Sequence, residues 1–241
     1  QAARDRLRKT RLLLQSNITN QPEDWDQYWL KKESNKLSFA YDIVAKFYRR
    51  FIIRPSLNRA LRRTFQPAQS ILHAGCGSGM VDSDVVRVYK ITAVDFSLKA
   101  IEQYRRINGD AAQLVQTDLM RTQFPDQQFD GLYNLGVMEH FLETEFPAVF
   151  GEFHRILKPN GRLVLFWPPE FGLSVVFLKG VHYILNDILG RNQYLHPPEP
   201  SRVRSRKGID EKLRMYGFEL EDFSFGIHDL FTHAIVIARK T

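Results

Sequence analysis

Three glycines spaced two apart, Gly75, Gly77 and Gly79, follow the apolar run Ser70-Ile71-Leu72-His73-Ala74. Without a Cβ, such a loop can turn sharply at the carboxyl end of a strand and let a ligand come close to the backbone. Asp95 stands twenty residues beyond Gly75, at the end of a second apolar run, Ile91-Thr92-Ala93-Val94. A carboxylate there can accept both hydroxyls of a ribose. Either feature alone is a weak sign. Together, in strand–loop–helix order, they predict a nucleoside-binding crevice.

The spacing also discriminates between nucleosides. A dinucleotide loop reads G-x-G-x-x-G/A, and its last small residue lets the first helical turn meet a pyrophosphate. Here the pattern is G-x-G-x-G, and Met80 takes the place of that last residue. S-adenosylmethionine has no phosphate, only an amino-acid end, a sulfonium and an adenosine, so the spacing favours it over NAD. Cys76, the single cysteine, reads as a small space-filler within the loop.

Further pieces occur in order along residues 71–167: Ala93-Val94-Asp95-Phe96-Ser97, Gln116-Thr117-Asp118-Leu119, Phe124-Pro125-Asp126, Met138-Glu139-His140 and His154-Arg155-Ile156-Leu157-Lys158-Pro159-Asn160-Gly161. As a set, the chain resembles the class I S-adenosylmethionine-dependent methyltransferases, in the small-molecule branch with the ubiquinone- and menaquinone-biosynthesis enzymes. The resemblance implies that Gly75, Gly77 and Gly79 lie along the methionine part of the cofactor and that Asp95 holds its ribose. It implies that Phe96 flanks the adenine, that Asp118 bonds the adenine amino group and that Leu119 offers a backbone amide to the ring. Asn134 would sit near the sulfonium, with Leu135 and Gly136 lining the same crevice. Asp118 also reads as a helix cap, and Phe96 as core. Some quinone-forming relatives build a divalent-metal site from a Glu-His pair and an acid three residues earlier. Gly136 occupies that third position here, so no metal is expected, and Glu139-His140 reads first as support for a helix start.

The elements needed to position these residues follow from periodicity. Strands are expected at 70–74, 91–95, 113–117, 130–135 and 162–167, with helices at 81–89, 98–107 and 145–157. A later helix at 209–216 is followed by strands at 220–225 and 233–238. Alternating strands and helices predict an α/β fold. We expect a Rossmann-like, doubly wound, seven-stranded sheet, mostly parallel with an antiparallel last strand, plus N-terminal helices and a helical lid insertion. The domain organisation expected is an N-terminal helical extension, 1–67, and a methyltransferase domain, 68–241, with the insertion at 168–207. In the extension, Leu7, Leu12-Leu13-Leu14 and Phe39, Ile43, Phe47 and Phe51 recur at near-helical spacing, and Pro55 should break or restart the last helix.

The bulk numbers place limits on partners. The net charge is +7, yet residues 1–65 hold 15 Lys/Arg against 6 Asp/Glu, so the remainder nets −2. A basic quarter on a near-neutral body suggests an anionic partner, such as a membrane surface, a phosphorylated substrate or nucleic acid, or else a solvated helical face. No apolar stretch reaches membrane-spanning length, and the first residues carry no apolar signal core. The expected location is therefore cytoplasmic, with peripheral contact at an anionic membrane.

The expected reaction is an in-line methyl transfer from S-adenosylmethionine to a small-molecule or lipid-linked acceptor, leaving S-adenosylhomocysteine. The N-terminal helices and the apolar 168–207 insertion, which starts at Pro168-Pro169, would position the acceptor. A base is needed only if the acceptor keeps a proton. His140 is the named candidate, with His182, His196, His228 and Glu170 behind it. The alternatives are an RNA methyltransferase and a cofactor-binding protein without catalysis. Base-methylating enzymes carry an Asn/Asp-Pro-Pro-aromatic run after the fourth strand, and Asn134-Leu135-Gly136-Val137 stands there instead.

Overall fold

The central strands are nearly continuous apolar runs because both faces of the sheet are covered there. Ile71 to Ala74, Gly131 to Asn134 and Leu163 to Trp167 are all buried. The computed structural model describes residues 25–27, 29–30, 46–172 and 199–241. The expected leucine stripe at 7–14, Tyr28, Phe39, Ile43, His182, His196 and the body of the insertion, 173–198, lie outside the described residues.

A π-helical turn, Arg49–Ile53, runs into α1, Arg54–Thr64. Then come β1, Ser70–Ala74, a 3-10 turn at Val85–Arg87, β2, Lys90–Asp95, α2, Leu98–Asn108, β3, Gln113–Gln116, and β4, Phe129–Leu135. A 3-10 turn at Met138–His140 leads to α3, Phe146–Ile156, and β5, Leu157–Trp167. The chain closes with α4, Arg206–Met215, β6, Phe218–Ser224, a 3-10 turn at Ile227–Asp229, and β7, Ala234–Lys240.

The seven strands lie in the order β3-β2-β1-β4-β5-β7-β6. Pairs among β1 to β5 are parallel, and β7 alone runs against its neighbours. The expected sheet is therefore observed. Its order reverses between β1 and β4, and at such a switch point the loops diverge and leave a crevice outside the strand carboxyl ends.

One core layer packs Ile71, Tyr133, Val164 and Phe166 against α1 and α2. The other packs Leu72, Leu132, Leu163 and Leu165 against α3 and α4. On α3, Phe146, Val149, Phe150, Phe153 and Ile156 recur at three- and four-residue spacing and are fully buried. Each contributes roughly 2 kcal/mol by leaving water. Pro55 neither breaks nor restarts the helix as expected: Ile53 and Arg54 keep helical backbone and the π turn runs straight into α1, with Pro55 in the turn that follows it.

One helix differs from expectation. In place of a helix over 81–89 there is a single 3-10 turn. Asp82 is claimed by His73 and Tyr104, and Asp84 by Arg54 and Asn58. Val81, Val85, Val86 and Val88 are β-branched and favour helix only weakly, so little opposes those contacts. The turn expected at Lys158-Pro159-Asn160-Gly161 lies within β5 as a looped excursion: Phe129 pairs with Leu157, but Gly131 pairs with Arg162.

Candidate cofactor and acceptor crevice

Three strand ends meet at the switch point. β1 delivers Gly75, β2 delivers Asp95, and β4 delivers Asn134 to Gly136. Gly75 and Gly77 have φ of 71° and 52°, left-handed values that side chains rarely adopt. A Cβ on Gly75 would come within 2.6 Å of Val137, and one on Gly77 within 3.1 Å of the Trp29 ring. The loop is thus pinched between the β4 edge and the N-terminal segment, and only glycine fits. Gly79 closes the turn, its amide donating to the Cys76 carbonyl.

The Asp95 carboxylate ties loop to helix. Oδ2 accepts from the Gly77 amide at 2.8 Å and Oδ1 from the Ser97 amide at 2.9 Å. Burial pushes this carboxyl up, and the two amides pull it back. Ser97 caps α2 by accepting from Ala100, and its hydroxyl donates to Asp26, which also accepts from the Lys99 amide. Asp26 and Trp29 thereby bring the N-terminal segment onto the crevice.

The remaining expected cofactor residues share this edge. Phe96 is half-buried, and its carbonyl accepts from the Gln116 side chain. Asp118 accepts from the Met120 amide in a turn, with no helix after it to cap, and Leu119 is buried. Asn134 is fully buried, yet neither its amide oxygen nor its nitrogen has a partner. A buried amide left so is costly unless a ligand completes it.

Glu139, expected only to support a helix start, holds a more unusual place. It is buried, with Oε2 unpartnered and Oε1 facing the bare Cα of Gly136. Burial holds its carboxyl well above the ordinary range, nearby Glu199 adds to this, and Arg202 opposes it. Arg202 is itself held by Glu199, at 2.8 Å. Neighbouring His140 is half-buried, with the Trp25 ring edge-on at 5.1 Å. A strap at 199–203 returns across this corner. Ser201 donates its amide to the Glu139 carbonyl and its hydroxyl to the Phe141 carbonyl, and Trp167 Nε1 donates to the Ser201 carbonyl. Val203 then bridges to Pro169 beyond β5.

The other proposed bases are placed differently. Glu170 is exposed and paired with Arg204, and His228 abuts Arg59. Among the described residues, no three His, Cys, Asp or Glu side chains form a metal-holding group.

A second buried network underlies the loop. His73 Nδ1 lies 2.6 Å from Asp82, the Tyr104 hydroxyl donates to the same oxygen, and Tyr133 stacks on the His73 ring at 4.2 Å.

A protein-family profile described as a methyltransferase domain matches residues 72–165. The chain is 29% identical over 109 residues to a sterol 24-C-methyltransferase of Yarrowia lipolytica, covering 42% of this chain and 28% of that protein. It is 27% identical over 161 residues to a demethylmenaquinone methyltransferase of Symbiobacterium thermophilum, covering 59% and 60%. This chain therefore spans well under two thirds of the length of the sterol enzymes it matches. In shape it resembles the 1,6-didemethyltoxoflavin-N1-methyltransferase of Burkholderia thailandensis, solved with S-adenosylhomocysteine. The TM-score is 0.58 at 17% identity, covering 91% of this chain and 90% of that one.

Proposed function

We propose that this chain, whose residues 72–165 carry the methyltransferase domain of the class I S-adenosylmethionine-dependent family, transfers a methyl group from that cofactor to a small-molecule or lipid-linked acceptor. The observation that carries the reading is the meeting, at one sheet edge, of the left-handed glycine loop, the Asp95 carboxylate and the unpartnered Asn134 amide.

These residues fit the cofactor. Gly75, Gly77 and Gly79 would hold its methionyl end and Asp95 its ribose. Phe96, Asp118 and Leu119 would hold its adenine, and Asn134 would lie on the sulfonium side. When bound, S-adenosylmethionine supplies a methyl carbon activated by the adjacent positive charge. The chain's own task is placement: it orients an acceptor lone pair behind that carbon and keeps water out.

The acceptor would enter at the carboxyl ends of β4 and β5, beside Glu139, His140 and the 199–203 strap, with 168–207 as its lid. The chain leaves this edge at Gly172 and returns to it at Glu199, which supports that placement. His140 would take the proton where the acceptor carries one. The named acceptors of the relatives, a sterol and a demethylmenaquinone, support an apolar acceptor class.

Calorimetric titration with S-adenosylhomocysteine and with NAD tests the cofactor, and an acceptor screen read by mass spectrometry tests the transfer. Heat with the former alone is expected. No heat with S-adenosylhomocysteine overturns the reading.

A further inference from the structure

The same edge carries a surface that the cofactor does not explain. Phe47 and Phe51, one helical turn apart, pack with tilted rings at 4.5 Å and are 61% and 53% exposed. Beside them the β6–β7 loop presents Ile227, 69% exposed, with Leu230 and Phe231. Tyr48 joins the two pieces, its hydroxyl bonding Thr232 and the Asp229 carbonyl. Leu230 and Phe231 both have φ of 57°, an unfavourable backbone for side-chain-bearing residues, and both stand exposed there.

The position of this patch is fixed by register. Trp167, the last residue of β5, pairs with Ala234, the first of β7, so the loop lies beside the carboxyl end of β5. Rings continue inward from it: Phe231 packs on Phe225 at 5.4 Å, and Phe225 on Phe171 at 5.1 Å. Phe171 follows β5 on the proposed acceptor side.

A basic groove adjoins the aromatic tips. Pro55, Asn58, Arg59, Arg62 and Arg63 line an open cavity of about 380 Å³. Phe47, Phe51, Pro55, Arg59 and Arg63 are every fourth residue, and the wider π turn at Arg49–Ile53 helps keep such a series on one side of the helix. Arg59 reaches the Ile227–Asp229 turn, where it meets His228 rather than a carboxylate.

We infer that Phe47, Phe51, Ile227, Leu230 and Phe231 form a docking surface for an anionic lipid bilayer, with Arg59, Arg62 and Arg63 facing lipid phosphates. Exposed apolar tips flanked by arginines match a bilayer's interface, where apolar side chains enter the acyl boundary and cations stay with the headgroups. Aliphatic Ile227 and Leu230 have no comparable use against a nucleic acid, whose affinity rests on cations and stacking rings. Docking so would set the bilayer along α1, with the aromatic tips at the carboxyl edge of the sheet and Arg62 and Arg63 nearer the amino edge, and a lipid-linked acceptor could reach the crevice from beside those tips. That consequence rests on the proposed acceptor class; the docking itself does not.

The test is co-sedimentation of the full chain with phosphatidylcholine vesicles and with vesicles also containing phosphatidylglycerol, at low and high salt. Binding to the anionic vesicles, weakened by salt, is expected. The triple variant Arg59→Gln, Arg62→Gln, Arg63→Gln should bind about a hundredfold more weakly, roughly fivefold for each arginine. The triple variant Phe47→Ser, Phe51→Ser, Ile227→Ser should lose about tenfold or more. Both should keep S-adenosylhomocysteine affinity, measured in parallel, so failure of docking and failure of the cofactor reading are told apart. Should the serine variant not fold, Phe51→Trp replaces it, and brominated anionic vesicles should quench the added emission. No preference for anionic vesicles, wild-type binding by both triple variants, unquenched emission from the Phe51→Trp variant, or retention of RNA but not vesicles overturns the inference.

Discussion

Nδ1 of His73 lies 2.6 Å from Oδ2 of Asp82, and both side chains are closed to solvent under the glycine loop. The Tyr104 hydroxyl donates to the same oxygen at 2.7 Å. The Asp82 amide bonds the Gly79 carbonyl, so this network braces the loop from below. Asp82→Ala would strand a buried imidazole and a buried phenol. We expect a loss of about 3 kcal/mol, read as a lower urea midpoint, with weaker S-adenosylhomocysteine binding. A stability within ~1 kcal/mol of wild type would show that the network is not what holds the loop.

Asp95 organises the crevice before any ligand arrives, through the Gly77 and Ser97 amides. Replacing it with Ala removes two charge-assisted hydrogen bonds within the protein and those expected to the ribose. Calorimetry should then show S-adenosylhomocysteine affinity reduced by roughly a hundredfold. An Asp95→Ala protein that binds as wild type would remove this residue from the site.

The centre of the sheet was legible because β1, β2 and β4 are short runs, largely apolar, that stop at Gly75, Asp95 and Gly136, and because Ser97 announces α2 as its cap. The cofactor edge follows from that order, since Gly75 and Asp95 close neighbouring strands. The corner proposed for the acceptor was not legible. Glu139 is buried at a corner that Ser201, sixty-two positions later, helps to close by bonding its carbonyl. His73 and Asp82 look like ordinary polar residues in sequence, and only the turn that replaces the expected helix at 81–89 brings them together. The exposed aromatic surface joins Phe51 to Ile227, a pairing that no local period encodes.

Glu139 gives a pH signature. Its folded carboxyl is held well above the usual range, so the folded state keeps a proton that the unfolded chain releases near pH 4.5. Stability contributed by this group is full below that pH and falls as pH rises, by up to ~1.4 kcal/mol per unit, until the folded carboxyl ionises too. Glu139→Gln removes the dependence. The variant should match wild type at pH 4 and exceed it at pH 7, as judged by urea midpoints at the two values. Parallel curves would mean that Glu139 is not held protonated.

His140 stands beside Glu139 with Trp25 against its ring, and it is our candidate base. For an acceptor that keeps its proton, His140→Ala should lower kcat by roughly 10²–10⁴-fold with little change in KM. An acceptor that presents a free lone pair at neutral pH should be methylated at the wild-type rate. Equal losses for both acceptor types would assign His140 a structural role instead.

Trp29 lies against Gly77. Among the three tryptophans of the chain, Trp29 comes closest to the glycine loop: a methyl at Gly77 would sit 3.1 Å from its ring. Asp26, three residues earlier, fastens the same segment to Ser97 and Lys99 at the head of α2. A ligand lying along the loop must therefore meet or displace this ring. Binding of S-adenosylhomocysteine should change tryptophan emission, and Trp29→Phe should abolish most of that change while Trp25 and Trp167 remain. Asp26→Ala loosens the fastening without touching the loop, so ligand dissociation should quicken by about tenfold in a stopped-flow trace, with the unfolding midpoint scarcely moved. An emission change that survives Trp29→Phe intact would place the ligand elsewhere than along Gly77.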